Sequence, residues 1–229
     1  KKVIAVSQNT KDDIVKFLKV LPEKIKVIHN GIGEEFAFIR EAHLFTRTLG
    51  KFKIKKEFIL YTGLWRSHKN LVRLIEAFNL LRKNGLDLQL VITGKPDPYY
   101  PEVKETVKGL KLENDIIFTN LVDDKYLINL YNSALIFAFP SLYEGFGYPP
   151  LEAMKCGTPV VASNCSSIPE ICGDAAIYFN PLDPEDIANK ISQVYKSAEL
   201  QADMVEKGLK RASEFTLQKM SEETYKILT

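Results

Sequence analysis

The feature that most limits what this chain can become is its rhythm. Short, almost unbroken apolar runs, "VIAV", "FILYTG", "LQLVITG", "IIF", "LIFAFP", "PVVAS" and "AAIYF", alternate with longer segments whose apolar residues recur at helical spacing. A strand without polar alternation is buried on both faces. Between the runs, Ser67 to Asn84 sets Leu71, Leu74, Ile75, Phe78 and Leu81 on one helical stripe. Asp183 to Lys196 does the same with Ile187, Ile191, Val194 and Tyr195. Strand, helix and strand in repetition build a parallel sheet covered on both sides, and right-handed crossovers make it a doubly wound, Rossmann-like α/β fold.

Further helices are expected from Thr10, with Asp12 and Asp13 in the first turn, over "PEVKETVKGL" from Pro101, over Asp123 to Asn132, over Pro149 to Lys155, and twice in the tail. Residues 32–56, rich in Phe, Lys and Arg, read as a loop, a short helix or a connector. Ligands of such sheets bind beyond the carboxyl ends of the strands. That rule selects the loops after Tyr61, Thr93, Phe118, Phe139 and Ala162.

Composition narrows the class. The chain has 229 residues, 45% of them hydrophobic, which suits one large domain or one domain with a fragment of another. The balance of 31 basic against 29 acidic residues gives a net charge of +2, so no bulk field calls for nucleic acid or an anionic membrane. No interleaving of aromatic and basic residues suggests nucleic acid either. The longest apolar run, "ALIFAF", is far short of the roughly 20 residues of a spanning helix. Cys156, Cys165 and Cys172 match no zinc spacing and are odd in number, so free thiols in a reducing cytosol are expected. The chain opens on "KKVIAVSQNTKDDI", a strand-like run and a helix start with no leader in front, which reads as entry partway through the fold of a larger protein.

Three stretches carry candidate chemistry. The first is "SLYEGFGYPPLEAMKCGTPVVAS", Ser141 to Ser163. Gly145 and Gly147 permit close backbone approach, and Pro149 and Pro150 suit a first helical turn. The result is a loop of free amides above a helix N-terminus, which is an anion-friendly geometry. Glu144 and Glu152, eight residues apart, could face one cavity and accept bonds from sugar hydroxyls. They could equally be a solvated carboxylate and a first-turn partner of the helix dipole.

The second stretch is "YTGLWRSHKN", where Arg66, His68 and Lys69 surround Ser67, the expected N-cap. Cations there are unfavourable by roughly 0.3–1 kcal/mol each, which an anion such as a diphosphate would reverse. A solvated basic loop is the alternative. The third is "FTNLVDDKYL", in which Asp123 and Asp124 suit a helix start far better than a Mg²⁺ site. Gly94 after "LVIT" is either a point of close ligand approach or an ordinary turn. No Gly-x-Gly-x-x-Gly follows the first strand and no phosphate-binding P-loop signature is present, which argues against a dehydrogenase or a P-loop enzyme.

With these residues in view, "PSLYEGFGYPPLEAMKCGTPVVAS" closely resembles the glutamate-x7-glutamate signature of retaining glycosyltransferases of the GT4 type, which have the GT-B fold. "VSQNTKDDI…VIHNGI", "GLWRSHKN", "VITG" and "YNSALIFAFPS" resemble the same family in the same order, over essentially the whole chain. The resemblance implies two Rossmann-like domains with the donor between them, of which this chain is the C-terminal, donor-binding one. Residues 1–45 would be the connection from the N-terminal acceptor domain, 46–212 the nucleotide-sugar-binding domain, and 213–229 a helix crossing back.

By the same likeness Glu152 would bind the ribose hydroxyls. Glu144 and the amides of Gly145, Phe146, Gly147 and Tyr148 would hold the donor sugar and diphosphate. Arg66 and Lys69 would neutralise the leaving diphosphate, and the base would lie near Gly94, Leu121 and Val122. Asn120 departs from the glycine that the family often has there. The resemblance leans to the mannosyltransferase-like branch. The donor would be GDP-mannose or a UDP-sugar, with no cofactor and no metal, and the acceptor a glycan or lipid-linked saccharide reached through the N-terminal domain. The full-length protein would be cytoplasmic, with peripheral association at the inner membrane face. A non-catalytic nucleotide-binding module and another GT-B-type enzyme, such as a sugar-nucleotide epimerase, are the alternatives.

Overall fold

The structure, a computed structural model, describes residues 2–228, the side chain of Ala42 apart. Six parallel strands form the central sheet: β3 (Phe58–Tyr61), β4 (Gln89–Thr93), β5 (Ile116–Asn120), β6 (Ile136–Phe139), β7 (Val160–Ser163) and β8 (Ala176–Phe179). They lie in the order β5-β4-β3-β6-β7-β8. That is the doubly wound order, in which the chain starts at the centre, builds outward to one edge and returns to build the other half. The order in which the chain adds strands reverses between β3 and β6, so the crevice between their two following loops is the topological switch point.

Side chains alternate across each strand, and the two faces fill two separate cores. Ile59 and Tyr61 of β3, Leu90 and Ile92 of β4, and Ile136 and Ala138 of β6 face α3 (Leu71–Lys83), α4 (Glu102–Gly109) and α8 (Pro184–Tyr195). Phe58 and Leu60, Val91, and Phe137 and Phe139 face α5 (Asp124–Ser133), α6 (Tyr148–Lys155) and α7 (Ile168–Cys172). All four residues of β3 are buried, and each such side chain contributes about 1.5–3 kcal/mol of burial. The predicted two-sided parallel sheet is therefore the observed one.

The opening segment stands apart from that sheet. β1 (Val3–Ala5) and β2 (Ile25–Val27) pair in parallel as a sheet of two strands, joined by α1 (Gln8–Leu18). At the other end α9 (Ala198–Ala212) leads into α10 (Leu217–Leu228), and an isolated parallel bridge joins Ile32 to Thr216.

Several local expectations need correction. The first helix begins at Gln8, not Thr10, because Ser7 caps it by accepting from the Thr10 amide at 3.0 Å, which carries Asp12 and Asp13 beyond the first turn. Residues 32–56 are not wholly irregular, since α2 (Thr46–Phe52) forms there behind a 3₁₀ turn at Ala42–Phe45. Ser67 is no N-cap. It opens a 3₁₀ turn, Ser67–Lys69, and α3 begins only after Asn70 in the left-handed region. Helix α7, within "SSIPEIC", escaped the sequence reading because five residues are too few to show a period. The three cysteines are free, and burial pushes the Cys156 and Cys172 thiols up to about 12.

Candidate functional site

Left-handed backbone marks one edge of the sheet. Lys19, Lys53, Gly85, Lys111, Gly157 and Gly173 have positive φ where α1, α2, α3, α4, α6 and α7 end, the ordinary place for it. The remaining positive-φ residues, Gly63, Asn70, Gly94, Asn120, Gly147 and Ser166, sit at or beyond the carboxyl ends of β3 to β7. Outside glycine each costs roughly 1–2 kcal/mol, so strain is concentrated on one rim. Asn120, at φ 58, occupies a backbone that glycine adopts freely and that asparagine tolerates better than other side chains. At Gly94 no side chain fits at all, because a Cβ would stand 1.8 Å from the Gly63 carbonyl oxygen.

On this rim a hollow of about 260 Å³ is lined by Thr62, Gly63, Leu64, Thr93, Gly94, Leu121, Val122, Leu127, Pro149 and Glu152. Gly94, Leu121, Val122 and Glu152, four of the sequence-predicted residues, thus share one wall. Glu152 lies in the second turn of α6, since Tyr148 is the first helical residue, and so is not the first-turn partner of the dipole. Its Oε2 accepts from the Tyr131 hydroxyl at 2.8 Å, and the Thr62 hydroxyl stands 2.7 Å from the same Tyr131 oxygen. Tyr131 is fully buried. Burial raises the Glu152 carboxyl above the ordinary carboxylate range. The Tyr131 bond opposes this, and Asp124 and Glu35 add to the rise. Oε1 of Glu152 has no partner among the described residues and is left to the hollow.

The loops flanking the switch point are stitched together. Asn70, buried, donates through Nδ2 to the carbonyls of Pro140 at 3.1 Å and Pro181 at 2.7 Å, and the Leu142 amide donates to the His68 carbonyl at 2.8 Å. Lys69 Nζ meets Glu144 Oε1 at 2.6 Å, with the two side chains only 17% and 13% exposed. The sequence reading of Lys69 as a cation awaiting an anion is therefore incomplete: a carboxylate from the facing loop already neutralises it. Glu144 does not line the hollow that holds Glu152, so the two glutamates do not share it. Arg66 is exposed, has no carboxylate partner among the described residues, and lines an adjoining hollow of about 210 Å³ with Trp65, Lys95 and Asp97. Leu64 borders both hollows. His68 is held below its usual range by burial and Lys69, with Glu144 opposing and Arg66 assisting.

The loop between Glu144 and Tyr148 has its carbonyls occupied. Ser167 Oγ lies 3.0 Å from Glu144 O and 2.7 Å from Phe146 O, and the hydroxyls of Ser7 and Thr10 donate to Gly145 O at 2.7 and 2.9 Å. The Glu144 amide donates to Ser166 Oγ at 2.9 Å, whereas the amides of Gly145, Phe146, Gly147 and Tyr148 find no acceptor among the described residues. The Phe146 side chain is no part of a binding surface. It is buried against His29, Tyr148 and Phe215, so only its amide is available. Below the loop, Ser141 Oγ is buried with no hydrogen-bond partner among the described residues.

Sequence reasoning missed Thr62, Tyr131, Ser7, Thr10, Ser166 and Ser167. A serine between a strand and a helix at Ser7, and Ser167 before Ile168-Pro169, are N-cap signals that point to helix starts. Nothing in one sequence says that such hydroxyls also reach another loop.

A doubly wound parallel sheet, with strained loops, two hollows and an ion pair gathered at its switch point, defines an α/β protein built to bind a ligand along that rim. The chain belongs to the Glycosyl transferases group 1 family, which matches residues 47–211. It is 35% identical over 192 residues to the serotype-specific mannosyltransferase WbdA of Escherichia coli, a match covering 81% of this chain and 23% of WbdA. It is 29% identical over 233 residues to O-antigen chain mannosyltransferase B of Escherichia coli, covering 100% of this chain and 61% of that protein. The chain therefore spans less than two thirds of these relatives. Among solved structures it resembles a glycosyltransferase from Rickettsia africae, with a TM-score of 0.88, 24% identity and coverage of 99% of this chain and 62% of the other. It also resembles Anabaena HepE in complex with UDP and glucose, with a TM-score of 0.89, 21% identity and coverage of 99% and 62%. These likenesses show the GT-B type of α/β fold. Among the described residues no helix is long and apolar enough to cross a membrane.

Proposed function

We propose that this chain is the donor-binding part of a retaining glycosyltransferase that moves a hexose, mannose by preference, from a nucleoside diphosphate sugar to a glycan or lipid-linked acceptor. Mannose is favoured because WbdA and O-antigen chain mannosyltransferase B are mannosyltransferases by name. A nucleotide-sugar donor is supported by the likeness to HepE, whose structure holds UDP and glucose. The observation that carries the reading is the arrangement at the switch point: the Lys69–Glu144 pair and free loop amides beside a hollow whose wall presents a half-buried glutamate.

The chemistry follows from the charges. Breaking the anomeric C–O bond leaves an oxocarbenium-like sugar and a diphosphate anion. Arg66, Lys69 and the amides of Gly145 to Tyr148 would meet that anion as fixed donors, which is preorganised electrostatic stabilisation without a metal ion. Glu144 would accept from a sugar hydroxyl while moderating Lys69. Glu152 Oε1 would accept from the ribose hydroxyls, and Gly94, Leu121 and Val122 would flank the base through backbone and apolar contact. The acceptor would reach the donor from the portion of protein that the longer relatives carry.

Titration calorimetry on the full-length protein with GDP, UDP, ADP and the matching nucleosides tests this. Arg66→Ala should weaken the best diphosphate by at least tenfold and its nucleoside by less than twofold, while Glu152→Ala should weaken both alike. Equal losses for every ligand in both variants would show that the roles are misassigned.

A further inference from the structure

The loop amides that would face the diphosphate owe their direction to groups outside the loop. In a trans peptide the carbonyl of one residue and the amide of the next point in opposite directions. Fixing the carbonyl of Gly145 therefore fixes the Phe146 amide, and fixing the carbonyls of Glu144 and Phe146 fixes the amides of Gly145 and Gly147. Ser167, fully buried, reaches the latter pair of carbonyls from the β7–α7 connection and shares its one hydroxyl hydrogen between them, the shorter contact being to Phe146 O. The Gly145 carbonyl is held from much further away, by Ser7 and Thr10 at sequence separations of 138 and 135.

Ser7 is fully buried and serves two ends at once. Its Oγ accepts from the Thr10 amide as the cap of α1 and donates to Gly145 O. The same docking is fastened at three other points. Glu170 of α7 takes the Gln8 amide at 2.8 and 2.9 Å on its two oxygens and meets His29 Nε2 at 2.8 Å. Phe146 packs on His29, and the Tyr143 hydroxyl bonds Asp13. The β1–α1–β2 unit thus grips the loop rather than merely abutting the sheet.

We propose that Ser7 and Thr10 are positioning residues for the diphosphate, because by holding the Gly145 carbonyl they aim the Phe146 amide, so that the seating of α1 on the loop sets the affinity for the anion. This rests on the reading of the loop as a diphosphate site. Glycine on both sides of Phe146 makes the segment soft, and without an external hold its peptide planes would reorient at little cost. Docking of the opening unit and filling of the anion site would then be coupled: each favours the other by the same factor.

The test uses the full-length protein with the nucleoside diphosphate it binds best among GDP, UDP and ADP, and with the corresponding nucleoside. Thr10→Val removes one hydroxyl and keeps the Ser7 cap, so it is the variant that spares folding; Ser7→Ala removes both the cap and the hold. Thr10→Val together with Ser7→Ala is expected to weaken the diphosphate about tenfold, the low end for a hydrogen bond to a charged group, and the nucleoside by less than twofold. Thr10→Ser should restore the Thr10 contribution. Nuclear magnetic resonance of the amides of Gly145 to Tyr148 reads the loop itself, and Thr10→Val should shift the Phe146 amide more than Gly147. Unchanged diphosphate affinity, equal loss for nucleoside and diphosphate, or no rescue by serine would overturn the proposal. A wild-type protein that binds none of the three diphosphates would refute instead the site reading beneath it, and the amide spectrum would still report whether the two hydroxyls orient the loop.

Discussion

Replacing Glu144 by glutamine separates two roles that a charged pair conceals. In the free protein Lys69 and Glu144 touch at 2.6 Å with more than four fifths of each side chain out of water. Losing one partner of a fully buried pair costs about 3–5 kcal/mol; with some solvent at both groups, and glutamine still able to accept one bond, about 1–3 kcal/mol is the better expectation. In a protein of this size that loss lowers the melting temperature by roughly 2–12 °C. A diphosphate restores what the substitution removed, since Lys69 then finds its only strong anion in the ligand. Glu144→Gln should therefore bind a nucleoside diphosphate several-fold more tightly than wild type while transferring sugar more slowly, and its melting temperature should rise further than that of wild type on adding the ligand. Calorimetry reads the affinity, thermal melts with and without the diphosphate read the stability, and a sugar-transfer assay reads the rate. Lys69→Met should lower stability as well, but it should weaken the diphosphate instead of tightening it. If Glu144→Gln weakens the diphosphate as much as Lys69→Met does, the carboxylate is not competing with the phosphate for Lys69 and the account of the switch point is wrong.

Two further expectations concern the hollow. Gly94→Ala sets a Cβ 1.8 Å from the Gly63 carbonyl on a backbone with φ +114, so the two loops must part; a loss of about 2–5 kcal/mol, from strain and overpacking together, should accompany nucleoside affinity too weak to measure, and an alanine variant that melts and binds like wild type would refute the close approach. Because burial raises the Glu152 carboxyl, its protonated form is favoured on folding: its contribution to stability is fullest below the unfolded value and is lost as pH rises through the folded one. Ribose recognition needs the ionised form, so nucleoside affinity should fall on acidification with a midpoint above the ordinary carboxylate range, and Glu152→Gln should flatten that dependence; a midpoint at or below the ordinary range would contradict the burial.

Much was legible without coordinates, for a plain reason. A run such as "FILY" has no polar residue to show to water, so it must be interior on both faces, and interior strands between amphipathic helices leave few folds open. The glycines and prolines of "EGFGYPP" likewise announced a loop and a helix start, since their permitted dihedrals are local properties. What one sequence could not supply was partnership across distance. That Lys69 is neutralised by Glu144, that Glu152 hangs from the buried Tyr131–Thr62 chain, and that Ser7 and Thr10 hold a carbonyl more than 130 residues away are all products of strand order. The sequence by itself determined which segments are strands, helices and turns, because burial and backbone preference act on neighbours along the chain. Only the tertiary structure decided which polar groups are paired and which are left facing the rim, because a hydrogen bond is won by whichever group the packed sheet brings within about 3 Å.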